Sequence, residues 1–531
     1  MRPVSTRTRH AIHHALPDVL PGLFPGFGEA APLDLPSLSA AAEQQITELL
    51  VSDRFDAWSQ ALARVGNCAR PIRLRGHSER VDTATGEIVS TYSSEQEPLG
   101  VTHVRCGNRR AAECPSCSRL YAADMFHLIR AGVVGGKTVP ESVGENPLVF
   151  ATLTAPSFGA VHGRRDQGRR CHPHTHRGPR CAHGRPATCH TAHAEDDPAL
   201  GQPLCWDCYD YASHVVWQWW APDLWRRFTI TLRRQVAKTL AVPATRLGEV
   251  ATVQYAKVAE YQLRGVVHFH ALVRLDGPRT RDGFAPTPTA IDADQLADLV
   301  HAAAASVRLT KPGVDADDPP RVLAFGRQLD ARPVRTGRRT DDPDRVLAPE
   351  QVAGYLAKYA TKSAEDTGVT DNPHHRRIRA TARSLSARAK TATTAGTAPD
   401  ANPYELLGKW VPMLGFRGHF ASKSRRYSLT MGALRRARRR AQALIAASRA
   451  EDRPLDIASL EADLLAEEDT ETTLVVGQWQ YVGSGWATEG ERILAVAAAA
   501  RAREYAQWRA EQRKARVMES HVRTQTNVRR G

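Results

Sequence analysis

The chain has 531 residues, of which 42% are hydrophobic and 24% charged, and this is enough for two or three domains with cores of their own. Its net charge of +15 and pI near 9.6 favour a polyanionic partner such as nucleic acid. The longest apolar run near the C-terminus, Ile493 to Ala500, is too short to span a membrane. The N-terminus has no apolar stretch followed by a cleavage site, so we expect a cytoplasmic protein without a secretion signal.

Residues 1–100 begin with a Pro/Gly-rich segment, Pro17 to Pro36, and then show an amphipathic pattern that predicts a helix from about Ala40 to Val65. No chemical motif falls in this region, so we expect an accessory domain. The whole chain has nine cysteines, an odd number, and most of them lie among histidines. This pattern favours zinc in a reducing compartment over disulfide bonds.

The first metal-binding motif is Cys-x7-Cys-Pro-Ser-Cys, formed by Cys106, Cys114 and Cys117. A Cys-x2-Cys turn lets two thiolates bind one tetrahedral zinc, so the motif predicts a zinc site, with buried thiols as the alternative. A fourth ligand is needed. The candidates for it are Cys68, His103 and His127.

A second Cys/His-rich segment, residues 171–208, follows a predicted buried strand from Pro147 to Thr154. Gly, Pro and Arg separate its cysteines and histidines, so the segment cannot form an apolar core of its own. Metal is the expected substitute, with one or two zincs, and a disordered His-rich loop is the alternative. A Trp-rich helix after it, Trp217 to Trp225, is expected to pack in the core. The expected cysteine ligands are Cys171, Cys181, Cys189, Cys205 and Cys208.

Two alternating apolar segments, Val250 to Gln262 and Val266 to Leu275, predict a β-hairpin closed by Leu263-Arg264-Gly265. A three-residue loop with Gly in its last position has the residue that tolerates a left-handed backbone in the right place. In that register Glu260 lies opposite His268.

The predicted hairpin brings Glu260, His268 and His270 onto one face, because successive strand residues alternate between faces. Two imidazoles and a carboxylate with open positions form a divalent-metal site suited to polarising a phosphate oxygen. Gln262 lies on the same face. The alternative is a pair of core histidines whose ring nitrogens form hydrogen bonds within the protein and bind no metal.

Residues 352–362 predict an amphipathic helix, since neither Pro nor Gly interrupts them after Gly354. At about 100° per residue, two tyrosines and two lysines share one arc beside an apolar strip. Phenols can attack phosphorus to form a phosphotyrosine, and nearby lysines can lower a phenol's pKa and hold a phosphate. A surface helix with solvated lysines is the alternative. The four polar residues are Tyr355, Lys358, Tyr359 and Lys362.

The C-terminal third is basic. We expect His374 to Pro399 to be mobile, and in Trp410 to Arg440 aromatics interleave with Arg and Lys, as is typical of contact with a DNA backbone and single-stranded bases. After them we expect an acidic helix (Leu455–Glu468), a Trp/Gly hairpin (Trp479–Trp486) and a long Ala/Arg helix. The expected DNA-binding residues are Lys423, Arg425, Arg426 and Tyr427.

Three segments in this order resemble the three motifs of HUH-type rolling-circle replication initiators: Phe150-Ala-Thr-Leu-Thr154, His268-Phe-His270 and Tyr355-x3-Tyr359-x2-Lys362. Two tyrosines four residues apart are similar to the two-tyrosine branch of that family. The Cys/His insertion and the segment Gly415 to Tyr427 resemble initiators of actinobacterial plasmids and integrative elements. The resemblance covers about residues 100–490.

The resemblance implies an α+β fold. In this fold a central antiparallel sheet carries the histidines, and the tyrosine helix packs against the sheet. Zinc-binding insertions and a mainly helical C-terminal region complete the chain. It implies nicking of one origin strand, which leaves a 5′-phosphotyrosine and a free 3′-OH that primes replication. Tyr359 and Tyr355 would be the nucleophiles; some single-tyrosine relatives have Glu in the place of Tyr355, which favours Tyr359. Lys358 and Lys362 would bind phosphate or lower the pKa of a phenol. Which tyrosine acts first stays open.

The implied cofactors are Mg²⁺ or Mn²⁺ at His268 and His270, with Glu260 as the third ligand, and one to three structural Zn²⁺. The implied partners are origin DNA, either single-stranded or as cruciform or supercoiled duplex, and a host helicase, with no membrane. A helicase from the host is expected because the chain has no Gly-x4-Gly-Lys-Ser/Thr phosphate loop.

We expect three regions: an accessory region at 1–100, an HUH nickase domain at 101–370 and a basic DNA-contacting and accessory region at 371–531. The nickase domain would contain the zinc-binding segments 106–117 and 171–208. Two other functions are open. One is a related relaxase or transposase, and the other is a non-catalytic zinc protein that binds DNA as a regulator.

Overall fold

The computed structural model describes residues 38–165, 168–172, 180–281, 283–334, 351–358, 372–396, 402–451, 464 and 473–528. The fold is α+β with antiparallel sheets, as the family resemblance implies. It divides into two compact units: unit 1 comprises Met1–Tyr121 and Ala466–Gly531, and unit 2 comprises Ala122–Leu465. None of the helices described is both long and apolar enough to cross a bilayer.

The helices and strands are numbered in chain order. The helices are α1 (Ala40–Leu50), α2 (Arg54–Arg64), α3 (Pro115–Val134), α4 (Tyr211–Thr239), α5 (Ala293–Ser306), α6 (351–358), α7 (Pro373–Thr394), α8 (Met431–Ala450) and α9 (Glu489–Val528). The strands are β1 (Ile72–Asp82), β2 (Ile88–Ser93), β3 (Thr102–Val104), β4 (Leu148–Leu153), β5 (Thr252–Tyr261), β6 (Val267–Asp276), β7 (Leu309–Lys311), β8 (Arg321–Leu323), β9 (Leu329–Pro333), β10 (Ala421–Lys423) and β11 (Thr473–Ser484).

Unit 1 joins the two ends of the chain through one strand pair. β11 runs antiparallel to β1 from Thr473 opposite Asp82 to Ser484 opposite Ile72, and β2 and β3 also pair with β1. The predicted Trp/Gly hairpin is therefore wrong, because residues 473–484 form a single strand whose partner lies far away in sequence. The compact units also divide the chain elsewhere than at residues 100 and 370, since this pairing adds the C-terminal strand and helix to the N-terminal region.

The core of unit 1 lies among α1, α2 and α9. Ile46, Trp58 and Leu62 are buried there, and the indole of Trp486 donates to the carbonyl of Cys68 at 3.0 Å. The single helix predicted for residues 40–65 is two helices, which are separated at Val51, where α1 ends. Both helices bury their apolar stripe, as an amphipathic pattern predicts.

Unit 2 is built on a five-stranded antiparallel sheet in the order β10-β5-β6-β4-β9. One face of this sheet packs on the long helix α4, where Trp217, Trp225 and Phe228 are buried in the same cluster as Phe269 of β6. The Trp-rich helix is thus part of the core, as predicted. The opposite face of β6 carries the two histidines, and it is this face that forms the candidate site.

Residues 373–394, which we expected to be mobile, form helix α7. Asn372 caps the helix by accepting from the backbone N–H of His374 at 2.8 Å, and Ile378, Ala382 and Leu385 are buried. Their spacing of about one helical turn gives an apolar stripe that the Ala/Arg-rich composition hides. The predicted acidic helix at Leu455–Glu468 lies outside the described residues, apart from residue 464.

Candidate functional site

The hairpin of β5 and β6 has the register that the sequence predicts. Glu260 pairs with His268, and the turn closes with the N–H of Gln262 donating to the carbonyl of Val266 at 2.9 Å. Gly265 has a φ of +76°, the left-handed backbone that this turn requires and glycine adopts without strain. The local sequence therefore fixes which side chains share a face.

Glu260, His268 and His270 converge on one point. Oε2 of Glu260 lies 2.9 Å from Nε2 of His268 and 3.1 Å from Nε2 of His270, and the side chains are 5–16% exposed. Adjacent ligands of an octahedral Mg²⁺ or Mn²⁺ stand about 3 Å apart, so the spacing suits such an ion. Two imidazoles and one carboxylate leave coordination positions for water or a phosphate oxygen. The three residues can hold a divalent metal.

The electrostatics of this triad favour the protonation states that a metal needs. Burial raises the pKa of Glu260, but hydrogen bonds with His268 and His270 and their charges outweigh it and lower that pKa to about 2. Burial lowers the pKa of His270, although its hydrogen bond with Glu260 acts in the opposite direction. Near neutral pH Glu260 is thus a carboxylate and His270 a neutral imidazole, the forms that bind metal.

Tyr355 lies beside the triad. Its ring centroid is 5.3 Å from that of His270 and 5.7 Å from that of Phe150, and the side chain is 40% exposed. Val352 and Leu356, one turn apart on α6, are buried, and this fixes which face of the helix is turned to the sheet. Tyr355 therefore sits between the candidate metal ligands and solvent.

The other three residues of the predicted tyrosine helix are placed only in part. Lys358 is exposed at the last described position of α6. Tyr359 and Lys362 lie outside the described residues. Their roles stay predictions.

Within the described residues, all nine cysteines fall into three groups whose ligand atoms lie within 4.8 Å of one another. The first is in unit 1, where Sγ of Cys68 lies 3.8 Å from that of Cys114 and 3.7 Å from that of Cys117. Four thiolates around one tetrahedral zinc are separated by about 3.8 Å, so the group can hold zinc. Of the three candidates for the fourth ligand, the structure places Cys68 with the others. The group is Cys68, Cys106, Cys114 and Cys117.

The other two groups lie in unit 2 and mix cysteine with histidine. One is His162, Cys171, Cys189 and His193; the other is Cys181, His183, Cys205 and Cys208. In the first, Nδ1 of His193 lies 2.6 Å from Oδ2 of Asp197, a carboxylate–histidine contact of the kind that orients zinc ligands. Both groups can hold a metal such as zinc.

Sequence reasoning missed His162 as a ligand, because it lies nine residues before Cys171 and outside the crowded segment. It also left unassigned which histidines of the segment join the cysteines. The pairing of residues 162 and 193 depends on how the insertion folds back on itself, as when the N–H of Gly201 donates to the carbonyl of His162 at 2.8 Å. No sequence spacing signals this contact.

Of the four residues expected to bind DNA, two are exposed arginines and two, Lys423 and Tyr427, make contacts within the protein. Arg425 and Arg426 are exposed, and their DNA contact stays a prediction. Lys423 is on β10, where Nζ donates to the carbonyl of Ser428 at 2.8 Å, and burial lowers its pKa to about 8. Tyr427 is fully buried, so the expectation that it faces DNA is wrong.

Tyr427 belongs to the core because it covers a buried charge. Arg274 forms two hydrogen bonds with Asp276, at 2.6 and 2.8 Å, and its guanidinium lies 5.3 Å from the ring centroid of Tyr427. The Tyr427 hydroxyl donates to the carbonyl of Ile129 at 3.3 Å. Aromatic residues among arginines in a sequence can thus mark a buried ion pair as well as a base-stacking surface.

The sequence matches known replication initiators over most of its length. The family model described as the replication initiator protein of pSAM2, RepSA, matches residues 54–500. A replication initiator protein of Streptomyces ambofaciens is 40% identical over 446 residues, which are 83% of this chain and 89% of that protein. The chain belongs to the RepSA family of replication initiators. No solved structure gives a significant match.

The matched region of this initiator includes the β5–β6 hairpin, helix α6 and all nine cysteines. The Glu-His-His triad and the three Cys/His groups therefore lie within the part of the chain that the family shares. A plasmid replication initiator acts on origin DNA, and the net charge of +15 suits that partner.

Proposed function

We propose that the initiator nicks one strand of its origin with a tyrosine of segment 352–362, and that the nick primes rolling-circle replication. The observation that carries the proposal is the position of Tyr355, whose ring lies 5.3 Å from that of His270 in the Glu-His-His triad. A phenol beside a divalent-metal site is the pair of groups that phosphodiester cleavage by a tyrosine needs.

In the proposed reaction the phenol oxygen attacks the scissile phosphorus and the bond from phosphorus to the 3′ oxygen breaks. The fragment downstream of the nick stays on the tyrosine through its 5′ phosphate, as a 5′-phosphotyrosine. The fragment upstream of the nick leaves with a free 3′-OH, because the net proton transfer is from the phenol to the departing 3′ oxygen. A bound Mg²⁺ or Mn²⁺ would polarise the phosphate and stabilise its developing charge. Because one phosphodiester replaces another, a 3′-OH can reverse the step without ATP.

Residues of the triad, its neighbouring strand and the tyrosine helix would each have a role in this reaction. Glu260, His268 and His270 would hold the metal, and Thr152 orients His270 through a contact of 3.1 Å between its hydroxyl and Nδ1. Tyr355 and Tyr359 would be alternative nucleophiles for successive cleavages. Lys358 and Lys362 would bind the scissile phosphate or lower the pKa of a phenol. Origin DNA and a host helicase are the partners that this function requires.

The test uses a labelled single-stranded oligonucleotide that carries the element's own origin. The zinc-loaded full-length protein is incubated with it and Mg²⁺ or Mn²⁺, and a denaturing gel is used to detect a covalent protein–DNA adduct. The wild type is compared with Tyr355→Phe, Tyr359→Phe and the double variant. Tyr505→Phe, on helix α9 in unit 1, is a matched control that should leave the adduct unchanged.

We expect an adduct that requires the metal and disappears only in the double variant. Its loss in one single variant would assign the nucleophile to that tyrosine alone. A protein that binds the origin tightly but forms no adduct with either metal would contradict nicking and support a non-catalytic DNA-binding regulator.

A further inference from the structure

The turn between β5 and β6 is held from outside the hairpin by three buried histidines. The carbonyls of its three residues each accept a hydrogen bond from a ring nitrogen, since a carbonyl oxygen can only accept. Two of the histidines belong to the first turn of α7 and the third to α4. The pairs are Leu263 with His375 at 3.3 Å, Arg264 with His374 at 3.1 Å and Gly265 with His214 at 3.3 Å.

Two tyrosines fix the orientation of two of these rings, those of His374 and His214. Nδ1 of His374 lies 2.9 Å from the hydroxyl of Tyr211, and Nδ1 of His214 lies 2.8 Å from that of Tyr209. Because Nε2 donates to the turn, Nδ1 of each neutral ring accepts from the phenol. Burial lowers the pKa of both histidines, which keeps the rings in this neutral form. Each carbonyl–histidine–tyrosine chain thus has one consistent set of donors and acceptors.

Helix α7 approaches the turn so closely that only glycine fits. A Cβ built on Gly265 would lie 3.0 Å from Cδ2 of His375 and 2.9 Å from Cδ1 of Ile378. The side-chain amide of Gln218 on α4 also donates to the carbonyl of Gly265 at 3.0 Å. The turn is therefore enclosed by α4 on one side and α7 on the other.

The conformation of this turn decides whether the metal site exists. Glu260 lies opposite His268 only in the observed register, and a slip of one residue would move one of them to the other face of the sheet. Hydrogen bonds from α4 and α7 to all three turn carbonyls make such a slip costly, because it would leave buried carbonyls without donors.

We propose that His214, His374 and His375 are positioning residues, which hold the β5–β6 turn in the register that brings Glu260 and His268 to one metal ion. The proposal rests on the proposed function, in which that metal takes part in nicking. The three histidines are not among the candidate metal ligands; they act through the backbone of the turn.

The experiment measures Mn²⁺ binding to the zinc-loaded full-length protein, by the electron paramagnetic resonance signal of free Mn²⁺. The His374→Leu/His375→Leu variant removes two of the donors. His374→Gln and His375→Gln keep an N–H near the place of Nε2, and His301→Leu, at an exposed site on α5, is the control. Zinc content and circular dichroism are recorded for each protein.

We expect the double leucine variant to bind Mn²⁺ about ten-fold more weakly, because only about a tenth of the protein would then hold Glu260 and His268 in the metal-binding register. The glutamine variants and His301→Leu should stay within about two-fold of the wild type, since the glutamines keep a donor for the turn carbonyls and His301→Leu leaves all three histidines in place. If the leucine variant does not fold, Tyr211→Phe takes its place. It removes only the hydroxyl that orients His374, and about a three-fold loss of affinity is expected, because a smaller part of the protein leaves the metal-binding register.

The outcomes separate this proposal from the proposed function. Folded variants that bind Mn²⁺ as the wild type does would contradict the positioning role alone. A wild type that binds no Mn²⁺ would contradict the metal centre and the positioning role together. A wild type that binds Mn²⁺ but forms no covalent adduct would contradict nicking and leave the positioning role measurable by Mn²⁺ affinity.

Discussion

Thr152 and His270 stand opposite each other on β4 and β6, and the Thr152 hydroxyl lies 3.1 Å from Nδ1 of His270. Nε2 of the same ring faces Glu260, so Nδ1 carries the proton when His270 binds a metal. The threonine then accepts from Nδ1 and fixes the tilt of the ring. A residue of the segment Phe150 to Thr154 thus orients a candidate metal ligand in the segment His268-Phe-His270.

Replacing Thr152 with valine should weaken the metal site without changing the fold. Valine has nearly the same shape but cannot accept from Nδ1, so we expect Mn²⁺ affinity to fall about ten-fold. Thr152→Ser keeps the hydroxyl and should stay close to the wild type. Equal Mn²⁺ titrations for valine and serine variants would show that the threonine does not orient His270.

Glu260→Gln should reduce metal binding more strongly. The substitution keeps the shape of the side chain but removes the negative charge that a divalent ion needs, and we expect a loss of at least ten-fold in Mn²⁺ affinity by calorimetry. Glu249→Gln removes an exposed carboxylate that pairs with Arg246, and it should leave binding unchanged. If both variants bind alike, Glu260 is not a ligand.

Three zinc ions per chain should be found by atomic absorption in protein purified without chelators, since the Cys/His groups number three in the described residues. Cys68→Ser should remove one zinc and destabilise unit 1, because Cys68 is fully buried in its core. Cys208→Ser should remove a different zinc ion and reduce the free energy of unfolding less, because Cys208 is exposed. A zinc content unchanged in either variant would contradict the ligand set concerned.

Arg425→Ala and Tyr427→Phe should separate DNA contact from core packing. We expect Arg425→Ala to weaken origin binding and to lower the salt dependence of the affinity by about one unit of slope, measured by fluorescence anisotropy over a KCl series. Tyr427→Phe loses the hydrogen bond to Ile129, so it should reduce the free energy of unfolding by about 1 kcal/mol and leave DNA affinity intact. The reverse pattern would place Tyr427 on the DNA.

Lys257→Met should stabilise the protein, and the gain should shrink as pH rises. Lys257 is 4% exposed beneath the sheet, its Nζ lies 4.6 Å from the ring centroid of Phe269, and burial lowers its pKa to about 7. Between pH 7 and about 10 the unfolded chain binds a proton that the folded one does not, so wild-type stability rises with pH by up to about 1.4 kcal/mol per unit. Methionine has no such dependence.

Urea unfolding of both proteins at pH 7, 8.5 and 10 measures this difference. The three Cys/His groups are common to the two proteins, and therefore their own pH dependence cancels in the comparison. A gain from methionine that stays constant across this range would mean that Lys257 keeps an ordinary pKa in the folded protein.

The register of the β5–β6 hairpin could be predicted from sequence because its strand pattern and turn are local, and the contacts from α4 and α7 add to what the local sequence favours. Glu260 and His268 are eight residues apart, and Gly265 between them fixes the turn and hence the register. The buried face of α6 is local too, since the spacing of Val352 and Leu356 sets it. Short-range geometry leaves few alternatives in both cases, and the observed positions agree with it. The position of Tyr355 beside His270 is a long-range contact, which only the family resemblance implies.

Other features depend on contacts that no local pattern encodes. Cys68 joins Cys114 and Cys117 across more than forty residues, at a distance that only the folded core of unit 1 sets. The burial of Tyr427 follows from an ion pair on β6, and the stripe of α7 becomes visible only when its partner, the β5–β6 turn, is known. In each case the sequence shows the residue but does not show which distant residue it contacts.

The pairing of β1 with β11 has a consequence for how the protein is made. Trp486 closes the core of unit 1 over Cys68 from a position 418 residues later in the chain. During translation, β1 and Cys68 therefore have no partner from the C-terminal segment until almost the whole chain has been synthesised. All of unit 2 leaves the ribosome before unit 1 is complete. A message truncated before residue 473 would yield a chain with the Glu-His-His triad but with β1 left as an open strand edge, the kind of product that aggregates or is degraded.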